Sequence, residues 1–136
     1  MIYEKIIPVE FNHCDPAGIV FYPRYFEMTN SVIENFFADV VERSFAAIHT
    51  TAGSGVPVVS IDAKFVHPSR LGEKILFAVT ISKLGQSSAT FEIVAAVKAQ
   101  KRLHASITVV WMENWKAHNW PLEMQKALQK FMENAA

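Results

Sequence analysis

Between position 23 and about position 42 runs a helical pattern that is apolar almost all the way round. Phe26, Asn30, Ile33, Phe37 and Val40 recur at helical spacing, and Met28, Val32, Phe36 and Val41 widen the apolar surface. Pro23 suits the first turn of such a helix, where its missing N–H costs nothing. The polar strip of Glu27, Ser31 and Glu34 is narrow, so the helix must be covered on most sides. The rest of the chain supplies a cover. Residues 2–11 read as a strand, and 56–67, 73–83, 88–100 and 102–113 alternate as strands with no helix between them. Pro121 then opens a short final helix with Leu122, Gln125, Leu128 and Phe131 or Met132 as its stripe, expected on the outside. Runs of strands without intervening helices imply an antiparallel sheet and an α+β class. One apolar helix and one five-stranded sheet suggest that the sheet wraps around the helix.

Length and composition narrow the function classes. At 136 residues, positions 1–136 read as one domain, and 51% hydrophobic residues supply a core. Lys and Arg together number 13, as do Asp and Glu, so no basic excess points to nucleic acid. No apolar run is long enough to span a bilayer, and the N-terminus lacks signal-peptide patterning. Cys14 is the single cysteine, which excludes an internal disulfide and fits a reducing compartment. A cytoplasmic location is the expectation. The Gly53-Ser54-Gly55 stretch lacks the Lys and preceding strand of a phosphate loop and reads as a connector.

The chemistry concentrates just before the long helix. Asp15 sits in an Asp-Pro-Ala-Gly turn, followed by Ile19-Val20-Phe21-Tyr22 and the helix start at Pro23. An isolated Asp before Pro is usually a turn residue. Here the turn sits among apolar residues and beside the unsatisfied N–H groups of a helix start, which carry positive partial charge. An acid next to such an oxyanion site suits acyl transfer, with the carboxylate as nucleophile or as general base toward water. His13 reads as a strand-end residue with a satisfied side chain. His13, Cys14 and Asp15 point apart as neighbours, so no metal site is expected. Cys14 lacks the assembled base of a nucleophile.

The segment from Phe11 to Phe26, and above all residues 14–23, resembles the active-site motif of the hotdog-fold acyl-CoA thioesterases, in the 4-hydroxybenzoyl-CoA thioesterase-like branch. The resemblance covers residues 3 to about 112. It implies a hotdog fold, an antiparallel sheet of five strands wrapped around one long central helix, and hydrolysis of a thioester to a carboxylic acid and CoA. It carries the catalytic carboxylate over to Asp15 and the oxyanion N–H to Tyr22. In that branch the long helix bears an Asp that contacts the ring hydroxyl; here Asn30 occupies the place, which puts a hydroxybenzoyl substrate in doubt. Gly18, Phe21, Phe26, Asn30, Ser60 and Lys83 are the implied substrate-side residues. The 83–88 stretch has only Lys83 where the branch has a basic cluster. Arg70, Lys64, Lys101 and Arg102 are further phosphate candidates, each more often an ordinary surface charge. No cofactor is implied, since CoA is part of the substrate.

Open strand edges on a monomer favour pairing across a two-fold axis. A homodimer is expected, often doubled to a tetramer in this family, with sites at the subunit interface. Glu27 and Glu34 read as solvated or interface acids. Two other functions compete: a non-catalytic acyl-CoA-binding module, against which the intact Asp15 turn counts, and a hydratase or dehydratase, for which His13 beside Asp15 gives only a faint echo.

Overall fold

The computed structural model describes residues 1–134. Strand β1 (Tyr3–Pro8) leads through a short 3-10 turn at Phe11–His13 to helix α1 (Tyr22–Phe36), which continues as a π-helical turn at Phe37–Val41. A single helical turn, α2 (Phe45–Ile48), precedes β2 (Val58–Phe65). Strands β3 (Lys74–Leu84), β4 (Ser88–Val97) and β5 (Gln100–Val110) follow. A small hairpin of β6 (Met112–Glu113) and β7 (Lys116–Ala117) precedes helix α3 (Leu122–Glu133). The five long strands form one antiparallel sheet in the order β1-β3-β4-β5-β2.

Alternation on the sheet gives the inner layer. Ile75, Phe77, Val79 and Ile81 of β3, Phe91, Ile93 and Ala95 of β4, and Leu103, Ala105, Ile107 and Val109 of β5 are all buried. Against them α1 buries Tyr25, Met28, Thr29, Val32, Ile33 and Phe36. Phe36 meets the rings of Tyr3, Phe37, Phe91 and Phe131 edge to face, with centroids between 4.9 and 5.8 Å apart. The sheet thus wraps a central helix, as the apolar pattern required, and this is the hotdog arrangement.

Three details differ from the sequence reading. In α1 the exposed strip is Glu27, Asn30 and Glu34, spaced three and four apart, so Asn30 lies on the rim of the apolar face. In α3 the buried stripe is Met124, Leu128 and Phe131, while Leu122 is exposed; the ring contact of Phe131 with Phe36 fixes that rotation. The β4–β5 turn falls at Lys98 and Ala99, both with positive φ (49° and 67°), so β4 ends at Val97 and not at 100.

Two edge strands frame the sheet. β2 is exposed along nearly its whole length, and Val58, Val59, Ile61 and Phe65 show large apolar surface there. Among the described residues no helix is long and apolar enough to cross a membrane.

Candidate active site

The turn before α1 is a miniature hairpin. The Gly18 N–H closes a β-turn on the Asp15 carbonyl (2.9 Å), and the Asp15 N–H bonds the Ile19 carbonyl (3.0 Å). Cys14 bridges Val20, and the Phe21 N–H donates to the His13 carbonyl (2.9 Å). Gly18 has φ of 78°, and a Cβ there would meet nothing within 4 Å, so the need for glycine is conformational. Pro16 and Gly18 suit such a tight reversal. Val20 is buried and Cys14 packs against the core. Side chains alternate along an extended ladder, so Asp15 and its partner Ile19 take the opposite face. Asp15 is half-buried, and its Oδ1 accepts the Ala17 N–H at 2.9 Å. Oδ2 takes no donor among the described residues.

Helix α1 begins without a side-chain cap. Phe21 is extended, Pro23 has no N–H, and the Arg24 N–H turns back to the Phe21 carbonyl at 2.8 Å. The Tyr22 N–H has no acceptor among the described residues. A free amide at the first turn of a 15-residue helix is a ready partner for negative charge.

An apolar surface runs on from this point. The Phe65 ring of β2 lies against Tyr25, Tyr22 and Phe26, with centroids 5.6, 6.2 and 6.2 Å away. Phe21 packs on Tyr22 at 5.5 Å. Beyond Phe26 a cavity of about 250 Å³ opens between α1 and the sheet, bounded by Phe26, Asn30, Ile33, Val58, Ile61 and Ile107. Thr29 also borders it but donates its hydroxyl to the Phe26 carbonyl (3.0 Å). Among the described residues, Asn30 is therefore the polar side chain on this wall with its amide uncommitted.

The remaining predicted residues lie elsewhere in this chain. Ser60 follows a bulge in β2 and opposes Thr108, on the sheet face opposite Ile61. Lys83 is exposed at the far end of β3, next to the β3–β4 turn. The His13 Nδ1 accepts the Glu10 N–H (2.9 Å), which commits that nitrogen within its own turn. Glu27 pairs with Arg24 on the surface at 2.9 Å, and Glu34 is exposed. No group of metal-ligating side chains is assembled among the described residues.

Arg102, expected as a surface cation, is 5% exposed. The reason is a bulge: Ala95 pairs with Leu103 and Ala96 with Lys101, which leaves Arg102 as the extra residue of β5 and breaks the alternation. Its Nη1 donates to Glu73 (2.7 Å) and to the Pro68 carbonyl (2.9 Å), and its Nη2 donates to Glu73 (3.1 Å). Glu73 also accepts the Arg70 N–H at 2.6 Å. Hydrogen bonds from Arg102 and from the Arg70 backbone hold the Glu73 carboxyl down at about 2. Nearby, the buried Tyr25 hydroxyl donates to the fully buried Ser69 Oγ (2.7 Å), and burial keeps that phenol above its ordinary value. None of these roles was visible in the sequence. A Glu in the connector before β3 and an Arg in β5 give no pairing signal, and only the bulge turns Arg102 inward.

The sequence profile of the thioesterase-like superfamily matches residues 9–128, and the chain belongs to that family. A 4-hydroxybenzoyl-CoA thioesterase from Pseudomonas sp. strain CBS-3 is 36% identical over 67 residues, a match that covers 43% of this chain and 42% of the relative. The match therefore spans less than half the length of that curated relative. Among solved structures, a 1,4-dihydroxy-2-naphthoyl-CoA thioesterase from Synechocystis superposes with a TM-score of 0.85 at 19% identity, over 95% of this chain and 96% of that one. A mutant 4-hydroxybenzoyl CoA thioesterase complexed with 4-hydroxybenzoyl CoA superposes with a TM-score of 0.81 at 21% identity, over 93% and 98%. A thioesterase from Thermus thermophilus, complexed with coenzyme A and Zn, gives 0.83 at 16% identity, over 98% and 96%. At these identities the structural likeness establishes the fold.

Proposed function

We propose that the chain is an acyl-CoA thioesterase, with Asp15 as the reacting carboxylate and the Tyr22 N–H as the oxyanion donor. One observation carries the reading. Among the described residues, a carboxylate with Oδ2 uncommitted and a helix-start amide with no acceptor are tied together by one short hydrogen-bonded ladder. The thioester carbonyl accepts the Tyr22 N–H, which stabilises the oxyanion as attack proceeds. Attack comes either from Asp15 Oδ2 or from a water that Asp15 deprotonates. In the first route the C–S bond breaks as CoA thiolate leaves, and water then cleaves the mixed anhydride to free acid and Asp15. In the second, hydroxide adds to the carbonyl and the thiolate leaves directly. The thiolate is a fair leaving group, so neither route needs a strong acid. No cofactor enters, because CoA is part of the substrate.

The acyl group lies along the Phe21, Phe26 and Phe65 surface toward the cavity that Asn30 borders. Related proteins act on aromatic acyl-CoAs, which fits this wall of rings. Asn30 is neutral, so it suits a hydroxyl or carbonyl on the acyl group and would not act as an anionic partner. The apolar open edge of β2 supports a homodimer, with a dimer of dimers as the larger assembly. The site would then be completed at the subunit interface, where Ser60 and Lys83 of a second copy could approach it. Cys14 as the single thiol fits a cytoplasmic setting.

The test is thiol release from a panel of aromatic and aliphatic acyl-CoAs by the purified wild-type protein. Release from aromatic members supports the reading. Tight binding without release would favour the acyl-binding module, and an enoyl product the dehydratase.

A further inference from the structure

The catalytic turn belongs to no strand of the main sheet. It is fastened to the connector between β2 and β3. The Val20 N–H donates to the Ser69 carbonyl (2.9 Å), the Leu71 N–H to the Gly18 carbonyl (3.2 Å), and Ile19 bridges Arg70. The connector is itself irregular, since Pro68 interrupts pairing. Three anchors hold it. Val9, just past the end of β1, exchanges backbone bonds with Gly72 and Glu73 at 2.9 and 2.8 Å. Tyr25 of α1 reaches Ser69, and Arg102 of β5 reaches both Pro68 and Glu73.

The Arg102 anchor is the costly one. Burying an ion pair gains little net stability over an apolar pair of the same shape. Its Nε is buried with no partner, alone among the buried side-chain polar atoms of the described residues. An orphaned N–H of this kind costs stability as well. Its geometry has a clear effect: the planar guanidinium grips both ends of the 68–73 connector at once. Tyr25 grips the same connector from the first turns of the helix whose start carries the Tyr22 N–H.

We propose that Arg102, with Glu73, Ser69 and Tyr25, forms a brace that sets the position of the Asp15 turn relative to the Tyr22 amide, so that Arg102 and Tyr25 are positioning residues for thioester cleavage. This rests on the thioesterase reading for its kinetic arm and on geometry alone for its structural arm. The brace joins the turn's backbone partner to the helix that bears the oxyanion donor. Loosening it misaligns two groups that must face one carbonyl, and displacement of about 1 Å can cost on the order of 100-fold in rate.

The experiment compares wild type with Arg102→Met, Arg102→Lys and Tyr25→Phe. The readouts are kcat and KM on a thioester that wild type cleaves, and backbone amide exchange by NMR. The expected result is a fall in kcat of about 10- to 100-fold with KM within about twofold. The Val20 and Leu71 amides should exchange faster while amides in the middle of β3 and β4 do not. Arg102→Lys should recover only part of the rate, because an ammonium cannot grip both ends of the connector. Unchanged exchange at Val20 and Leu71 would overturn the brace, as would acceleration spread evenly through β3 and β4. So would wild-type kcat in both Arg102→Met and Tyr25→Phe. Should Arg102→Met fail to fold, Tyr25→Phe removes one hydroxyl and decides the matter. Should wild type cleave no thioester, the hydrolase reading fails, while the exchange data still decide whether the brace holds the turn.

Discussion

The His13 carbonyl accepts the Phe21 N–H at 2.9 Å, and this bond ties the first turn of α1 to the strand side of the loop that carries Asp15. Successive amides of an extended segment point to alternate sides. With Phe21 committed to His13, the next amide, Tyr22, faces away from the ladder and is left without an acceptor among the described residues. The free donor is thus a consequence of local pairing.

Gly18 tests the turn directly. Its φ of 78° is in the left-handed region, and space for a Cβ is open. Gly18→Ala should fold and lose about 1–2 kcal/mol of stability from backbone strain alone, with a larger proportional loss of kcat as the Asp15 turn rearranges. Chemical denaturation and steady-state kinetics on the same preparation check both. A variant with lower stability but full kcat would mean that the turn's shape does not matter to catalysis.

Glu73 predicts an acid limit. Its carboxyl is held at about 2 by Arg102, below the ordinary 4.5. A group whose folded pKa is depressed contributes stability above its unfolded pKa and loses it as pH falls toward the folded value. This contribution should therefore be constant above about pH 5 and decline between about pH 4.5 and pH 2. Glu73→Gln should flatten that part of the stability profile, and it should cost about 1–3 kcal/mol at neutral pH by weakening the hydrogen bonds to the buried Arg102. Melting curves across pH check the shape, and an unchanged acid limb in the variant would contradict it.

Asn30 is exposed on the rim of the apolar cavity. Asn30→Ala should leave stability within about 0.5 kcal/mol and raise KM for acyl groups bearing a hydroxyl or carbonyl more than for plain ones. Paired KM values for a substituted and an unsubstituted benzoyl-CoA measure this. An equal change in both would remove Asn30 from substrate recognition.

The β2 edge tests assembly. Ile61 is 44% exposed on a strand with an open edge. Wild type should sediment as a dimer or larger, and Ile61→Lys should shift it toward monomer by putting a charge into the seam. A monomeric wild type would contradict the dimer, and an Ile61→Lys variant that stays assembled would put the seam elsewhere.

The wrapped-helix fold was legible because its signals are local and repeated. The 3.6-residue pattern from Phe26 to Val41 and the two-residue alternation of Ile75 to Ile81 and Leu103 to Trp111 each report which face is buried. The Asp15 turn was legible because Pro16 and Gly18 mark it. What stayed hidden depends on departures from periodicity. Lys98 and Ala99 make a left-handed hairpin turn without glycine, so no residue type announced it. Arg102 is turned inward by a one-residue bulge, which converts an expected surface charge into a buried anchor. The spacing of Leu122 fits the α3 stripe, but the Phe131 contact with Phe36 sets the helix's rotation and leaves Leu122 exposed.

The most direct measurement is thiol release by Asp15→Asn beside wild type, at saturating aromatic acyl-CoA, with circular dichroism confirming that the variant is folded. The account predicts that Asp15→Asn binds the thioester and loses kcat by at least about 100-fold, because the amide can neither attack the carbonyl nor take a proton from water. Wild-type turnover in a folded Asp15→Asn would contradict it and move the reacting carboxylate to Glu27 or Glu34 on the exposed strip of α1.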